Sequence, residues 1–297
     1  MHNIMKLIKF IGNIGNKFLT LFFIICLGII LFLILQIFCF TSFKIPTDSM
    51  EPSLLAGDQI VVNKLIQGAR IFDVFAALNN KDVHIYRIPG MGKIKRNDVL
   101  VFNFPYQSSR WDSICFDIMK YYVKRCIALP GDTLEIRKGF FKIRGAEDEV
   151  LGNRLSQERI SMLSDNIGQR IVMDAFPRGK GWTIKEFGPL SIPCSGQVVE
   201  LNHMTWLLYR QLIEWEQKVK LTLRRGDILL GDSVIHKYQF QTNYYFVAGD
   251  KGENSQDSRY WGMLPEPYIV GKATLIWKSN DPQTGDIRWN RILNKIR

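Results

Sequence analysis

Cysteine and histidine are scarce, with five and four residues in a chain of 297. Cys26 and Cys39 sit within or at the end of an apolar run, which leaves Cys115, Cys126 and Cys194 for the remainder. No CxxC pair occurs. A disulfide framework and a recognisable zinc spacing are thereby excluded, with room for one bridge at most. The histidines are His2, His84, His203 and His236. His2 lies on the far side of the apolar run and the others have no supporting motif, so a Ser-His-Asp triad finds no foothold. Internal repeats and low-complexity tracts are absent. The net charge of +11 comes from 39 Lys and Arg scattered among 28 Asp and Glu. Without a basic cluster it argues against nucleic acid as a partner and fits a basic face near phospholipid headgroups. Nothing calls for a metal or a cofactor.

Charge is missing altogether from residues 19–40, LTLFFIICLGIILFLILQIFCF. About 22 apolar residues suffice for one bilayer-spanning helix. A cleavable signal peptide would have a shorter apolar region followed by a small-x-small site, and Cys39-Phe40-Thr41-Ser42-Phe43 is a poor one. A buried core helix would carry a polar face. An uncleaved anchor is therefore expected. Lys6, Lys9 and Lys17 precede it and only Lys44 follows closely, so the positive-inside rule places residues 1–18 in the cytoplasm and exports everything after Phe40.

The exported part is rich in Val, Ile, Tyr, Phe and Trp broken by Gly, Pro and Asp, which predicts mostly strands. The fold class expected is mainly β. Strands are read at 60–64, 99–104, 121–129, 244–248 and 269–277, with a hairpin at 133–143 turning at Lys138-Gly139. Residues 65–95 read as irregular, with Asn79-Asn80 and Pro89-Gly90 as turns, and 111–120 as a short helix or loop. Residues 145–243 change character and hold an amphipathic helix at 203–215, where Trp206, Tyr209 and Ile213 recur at helical spacing. They are read as an inserted α+β subdomain, leaving 41–144 and 244–297 as one β-rich domain with a basic tail.

Ser49 lies between Pro46 and Pro52, each of which fixes φ and removes a donor. Such restriction suits a nucleophile that must be held near attack distance. A serine needs a base, and lysine serves only when neutral, through desolvation or nearby positive charge. Lys124 lies in the apolar strand Tyr121-Tyr122-Val123-Lys124-Arg125-Cys126-Ile127-Ala128-Leu129, and Arg125 beside it pushes the same way. Taken alone, Lys124 fits the solvent side of an alternating strand as well. Beside Ser49 it reads as a base.

Pro46-Thr47-Asp48-Ser49-Met50-Glu51-Pro52-Ser53-Leu54 resembles the nucleophile box of bacterial type I signal peptidases, membrane-anchored Ser-Lys endopeptidases of peptidase family S26. Three more segments resemble that family in the same order: 95–102 (KRNDVLVF), 123–132 (VKRCIALPGD) and 249–262 (GDKGENSQDSRYWG). The resemblance implies a β-rich catalytic domain behind a transmembrane helix, with Ser49 as nucleophile and Lys124 as general base. It implies that Thr47 and the Ser49 N–H form the oxyanion hole and that Ser255 hydrogen-bonds the lysine amine. Asp257 and Arg259 brace the site with Arg125 beside them, and Asp250 supports it. Phe43, Ile45, Pro46, Met50, Leu54, Tyr122 and Val123 would line shallow pockets for small side chains. Phe43, Trp261, Trp277, Trp289 and the basic tail would rest near headgroups, although each of these aromatics fits a core position equally well.

The implied activity is removal of signal peptides from preproteins after Ala-x-Ala-type sites, at the cytoplasmic (inner) membrane, with the body on the extracytoplasmic side near the export translocon. A membrane-tethered non-catalytic paralogue or binding module is the alternative. One loop departs from the family's usual Gly-Asp-Asn-Arg-Asp-Asn-Ser, having Lys251, Gly252 and Glu253 in place of Asn, Arg and Asp. That loop is expected to be looser and to lack one charged contact.

Overall fold

The computed structural model describes residues 2–79, 81–106, 111–164, 176–177 and 179–296, the first fourteen as backbone alone. Asn80 of the expected Asn79-Asn80 turn lies outside them. The charge-free run belongs to one long helix, α1 (His2–Phe38). Its Asn16–Phe38 stretch has 23 residues, contains an 18-residue window with a mean hydropathy of 3.2 and no buried residue, and is long enough to cross a bilayer. Phe40, expected inside the span, instead opens β1 (Phe40–Lys44), because its backbone pairs with Asn63. The Lys64 amine donates to the carbonyls of Gln36 and Ile37 at 2.8 and 3.1 Å. It thereby satisfies two acceptors that a helix end leaves open.

The expected mainly β class is what the body shows. A seven-stranded sheet adds to β1 the strands β2 (Asp58–Asn63), β3 (Val99–Asn103), β4 (Tyr121–Ala128), β8 (Tyr244–Ala248), β9 (Leu264–Pro265) and β10 (Ile269–Ser279). Its order is β1-β2-β10-β3-β4-β8-β9, with neighbours antiparallel. Strand β3 is buried at every position. Val99 and Val101 face a cluster with Ile45, Met50, Leu54, Ile60 and Val62. Leu100 and Phe102 face a larger one with Phe104, Phe246 and Trp261. A strand covered on both sides reads as a continuous apolar run, and each such side chain contributes roughly 1.5–3 kcal/mol on burial.

The hairpin β5 (Thr133–Arg137) and β6 (Phe140–Ile143) turns at Lys138-Gly139. Both turn residues have positive φ, 53° and 86°, as a two-residue hairpin loop demands. Strand β5 also pairs with β7 (Phe187–Ser191), so this sheet crosses the compositional boundary at residue 145. The larger apolar cluster likewise joins Leu151, Phe187 and Leu212 to Phe246.

Helix α2 (Arg154–Met162) starts at Asn153, whose side chain accepts from the Ser156 N–H. Helix α3 (His203–Gln217) is capped by Asn202 and buries Leu208, Tyr209, Leu212 and Ile213 along one face. Residues 65–95 are less irregular than expected: Arg70–Ile71 pairs with Tyr86–Arg87 around a short helix, Val74–Leu78. The Arg87 guanidinium holds the Gly68 carbonyl within this segment and pins it to the body through the carbonyls of Glu266, Pro267 and Ile269. Residues 111–120 contain neither helix nor strand. The tail folds back, Lys295 bridging to Leu275 and Arg291 pairing with Asp58 at 2.6 Å. Trp261 is 1 % exposed. It belongs to the core and cannot reach headgroups, whereas Trp277 and Trp289 are exposed.

Candidate active site

Residues 45–54 form a turn between β1 and β2. Its ends are closed by Ile45 N–H donating to the Asp58 carbonyl and Gly57 N–H donating to the Ile45 carbonyl, both at 2.8 Å. Ile45, Met50 and Leu54 sink into the apolar cluster on that face of the sheet, which fixes the turn from below. Ser49 is left at the surface of this plug, 9 % exposed. Among the described residues its N–H has no backbone acceptor. Thr47 is exposed beside it.

Lys124 stands opposite Leu100 in the β3–β4 register and is 4 % exposed. It does not take the solvent side of its strand. Its amine donates to Ser49 Oγ at 2.5 Å and lies 5.6 Å from the centre of the Tyr122 ring. Burial lowers its pKa from 10.5 to about 8. Asp257 opposes that fall, Arg259 adds to it, and Asp250 and Asp48 oppose it again. Arg259 is thus the cation that matters. Arg125, expected to play that part, is bound by both carboxylate oxygens of Asp250 at 2.6 Å and also holds the turn carrying Ser49 through Ser53 Oγ at 3.0 Å.

Asp257 and Arg259 form a second buried pair. Arg259 Nε and one terminal nitrogen donate to the two Asp257 oxygens at 2.8 and 2.7 Å, and that nitrogen also donates to the Gly252 carbonyl at 2.7 Å. Asp257 in turn accepts from Gly249 N–H at 3.0 Å. Burial pushes the Asp257 carboxyl up, but the charge and hydrogen bonds of Arg259 outweigh it and hold it below the usual range.

Ser255 departs from its implied role. Its hydroxyl is buried and has no hydrogen-bond partner among the described residues. The Ser255 side chain packs against Gly249. Leu54 departs too. At 0 % exposed it fills the core below the turn and does not line the cleft. The remaining expected lining residues, Phe43, Ile45, Pro46, Met50, Tyr122 and Val123, do surround a cleft of about 330 Å³ that opens on Ser49 and Lys124. Sequence reasoning missed Lys44, Asp48, Tyr121, Asn254 and Gln256, which line it as well. His84, His203 and His236 are not among its lining residues.

The loop after β8 is tied on both flanks, against the expectation that it would be loose. Gly252 N–H donates to Ser156 Oγ at 2.8 Å, and Glu253 accepts from Ser156 and Arg159 of α2, both at 2.8 Å. On the other flank Lys251 reaches Asp48 and Glu51. Gly252 serves a close approach here: a Cβ would stand 2.8 Å from Ile160 Cδ1.

A family model described as signal peptidase, peptidase S26, matches residues 17–278. The chain belongs to this family and is a serine peptidase, a hydrolase. It is 27% identical over 284 residues to a signal peptidase I of Pseudomonas aeruginosa, covering 92% of this chain and 75% of that one. It is 30% identical over 300 residues to a signal peptidase I of Buchnera aphidicola subsp. Acyrthosiphon pisum, covering 93% and 80%. A crystal structure of a signal peptidase I from Enterococcus faecalis V583 is 20% identical and covers 62% of this chain and 98% of that one, with a TM-score of 0.30.

The packing around Gly249 yields a first prediction. A Cβ there would lie 2.2 Å from Ser255 Oγ and 2.6 Å from the Ser49 carbonyl oxygen, so the turn carrying Ser49 must shift. Gly249→Ala is expected to lower peptidase kcat about a hundredfold while leaving the circular dichroism of the folded chain intact. Wild-type turnover in this variant would mean that the turn tolerates displacement.

Proposed function

We propose that this chain is a membrane-bound endopeptidase that removes signal peptides from exported preproteins after small-x-small sites, using a Ser49–Lys124 dyad. The observation that carries the reading is the 2.5 Å contact between Lys124 Nζ and Ser49 Oγ at the floor of a mostly apolar cleft. Neutral Lys124 takes the Ser49 proton as Oγ attacks the scissile carbonyl. The developing oxyanion rests against the Ser49 N–H and the Thr47 hydroxyl. The Lys124 ammonium then protonates the leaving amine. Water, deprotonated by Lys124, hydrolyses the acyl-enzyme and restores Ser49.

The substrate class follows from the cleft and its place in the chain. A narrow apolar pocket lined by Ile45, Met50 and Val123 admits small side chains and rejects large ones by overlap. A peptide lying extended would pair its backbone with exposed strand edges beside Ser49 and Tyr122. With α1 spanning the cytoplasmic membrane and residues 1–18 inside, the cleft faces the extracytoplasmic side near the translocon, where signal peptides emerge. The exposed Phe40, Trp277, Trp289 and Leu293 suit contact with headgroups.

The test is to incubate the full chain in detergent with a preprotein and sequence the new N-terminus. The expected product begins after a small-x-small site, and Ser49→Ala gives none. Normal processing by Ser49→Ala refutes the scheme, and an inert wild-type chain that fails to acylate would leave a binding module instead.

A further inference from the structure

Lys251 stands where the family usually has asparagine, and it is the point at which the loop after β8 grips the nucleophile turn. Its amine lies 2.5 Å from Asp48 Oδ2 and 3.0 Å from Glu51 Oε2. Its N–H donates to the Ser49 carbonyl at 3.1 Å. Asn254 Nδ2 supports the same carboxylate, at 3.2 and 3.1 Å from the two Asp48 oxygens. Lys251 cannot drift, since the next two residues are bound to Ser156 and Arg159 of α2. Its two carboxylate partners flank Ser49 in the chain, one immediately before it and one two residues after.

We propose that Lys251 is a positioning residue for the dyad, holding the nucleophile turn by Asp48 and Glu51 and offsetting the negative charge that Asp48 sets near the Lys124 amine. This rests on the reading of Ser49 and Lys124 given above. The charged groups acting on Lys124 are Asp257, Arg259, Asp250 and Asp48, with Tyr122 contributing its ring face and Arg125 committed to Asp250. Of these, Asp48 belongs to the nucleophile turn. Its own carboxyl is held below the ordinary range, chiefly by the hydrogen bond from Lys251, so it is charged throughout the working pH range.

The sign is definite. A negative charge near Lys124 favours its protonated, inactive form. Lys251 counters that charge, so its removal raises the pH at which Lys124 becomes neutral. Below that pH the rate follows the fraction of neutral amine. An upward displacement of about half a pH unit therefore lowers kcat about threefold at fixed pH, as expected for one partly screened charge.

The experiment measures kcat and KM against pH for the full chain in detergent with a preprotein substrate. Lys251→Met should move the acidic limb of kcat upward by about half a unit, with KM within about twofold. Lys251→Asn, smaller and also neutral, should do the same, which guards against a folding defect in one variant. Lys251→Arg should restore the wild-type limb. The double variant Asp48→Asn with Lys251→Met should bring the limb back to the wild-type position or below it. A purely structural tie predicts the opposite, since the double variant restores no contact. Coincident profiles for wild type and Lys251→Met overturn the inference, as does a double variant displaced as far as Lys251→Met. Failure of the dyad reading looks different: Ser49→Ala would then cleave normally whatever Lys251 does.

Discussion

Lys124→Met is expected to lower kcat for preprotein cleavage by at least about 10⁴-fold while the protein remains folded. Loss of one member of a nucleophile–base unit typically removes nearly all the rate it supplies. Methionine fills a similar volume and accepts burial, so the defect should fall on turnover rather than on expression. The wild-type profile is the second half of this prediction. With the Lys124 pKa lowered to about 8, mainly by burial, log kcat should rise with slope near one below that pH and level off above it. A wild-type profile flat from pH 6 to 9 would remove lysine as the base.

Stability should move in the opposite sense to activity. A lysine whose folded-state pKa falls below its unfolded value binds its proton less tightly when folded. The resulting penalty is fully present below the folded value of about 8 and disappears as pH rises towards 10.5. The fall from 10.5 to about 8 corresponds to roughly 3 kcal/mol. Lys124→Met should accordingly melt above wild type at pH 7, and the advantage should shrink between pH 8 and 10.5. Equal melting temperatures across that range would indicate that the amine is solvated.

The second large effect concerns the ion pair behind Lys124. Arg259→Met leaves the Asp257 carboxylate at 0 % exposure without its ionic partner, and a buried charge stranded in this way costs about 3–5 kcal/mol. At 2–4 °C per kcal/mol for a chain body of this size, the melting temperature should fall by about 10 °C. The double variant Asp257→Leu with Arg259→Met should recover much of that loss, because no charge is then stranded. A double variant as unstable as Arg259→Met would place the cost in packing instead. Since the Asp257 carboxyl is held below its ordinary value, the stabilisation from this pair is complete above the unfolded value of 3.8. It is lost only as pH falls through the lower folded value.

Much of the proposed site could be read from local sequence because its chemistry depends on local surroundings. A serine between Pro46 and Pro52 and a lysine inside an apolar strand are anomalies visible in windows of ten residues, and the fold places those two groups together. Leu54 and Trp261 serve the core rather than the cleft or the lipid surface, and a common reason hides this in the sequence. Apolar residues near a site serve equally as lining or as support, and only the packing on the two sides of the sheet separates these uses. The Lys251–Asp48 contact spans 203 positions, and no pattern in either segment announces it. The same holds for Ser156, a polar residue in an unremarkable helix, which is bonded to both Gly252 and Glu253. Substituting glycine at 252 suggested slackness, whereas the structure uses the missing side chain to admit Ile160.

A single residue, Cys39, separates the end of α1 from the first strand of the body, and Lys64 bolts the helix end to β2. There is no slack tether here. If α1 crosses the bilayer as proposed, the distance between lipid and Ser49 is set like the height of a blade on a fixed stand. The cut would then fall where a substrate's own span brings its chain to that height, so depth in the membrane joins side-chain size in selecting the bond that is broken.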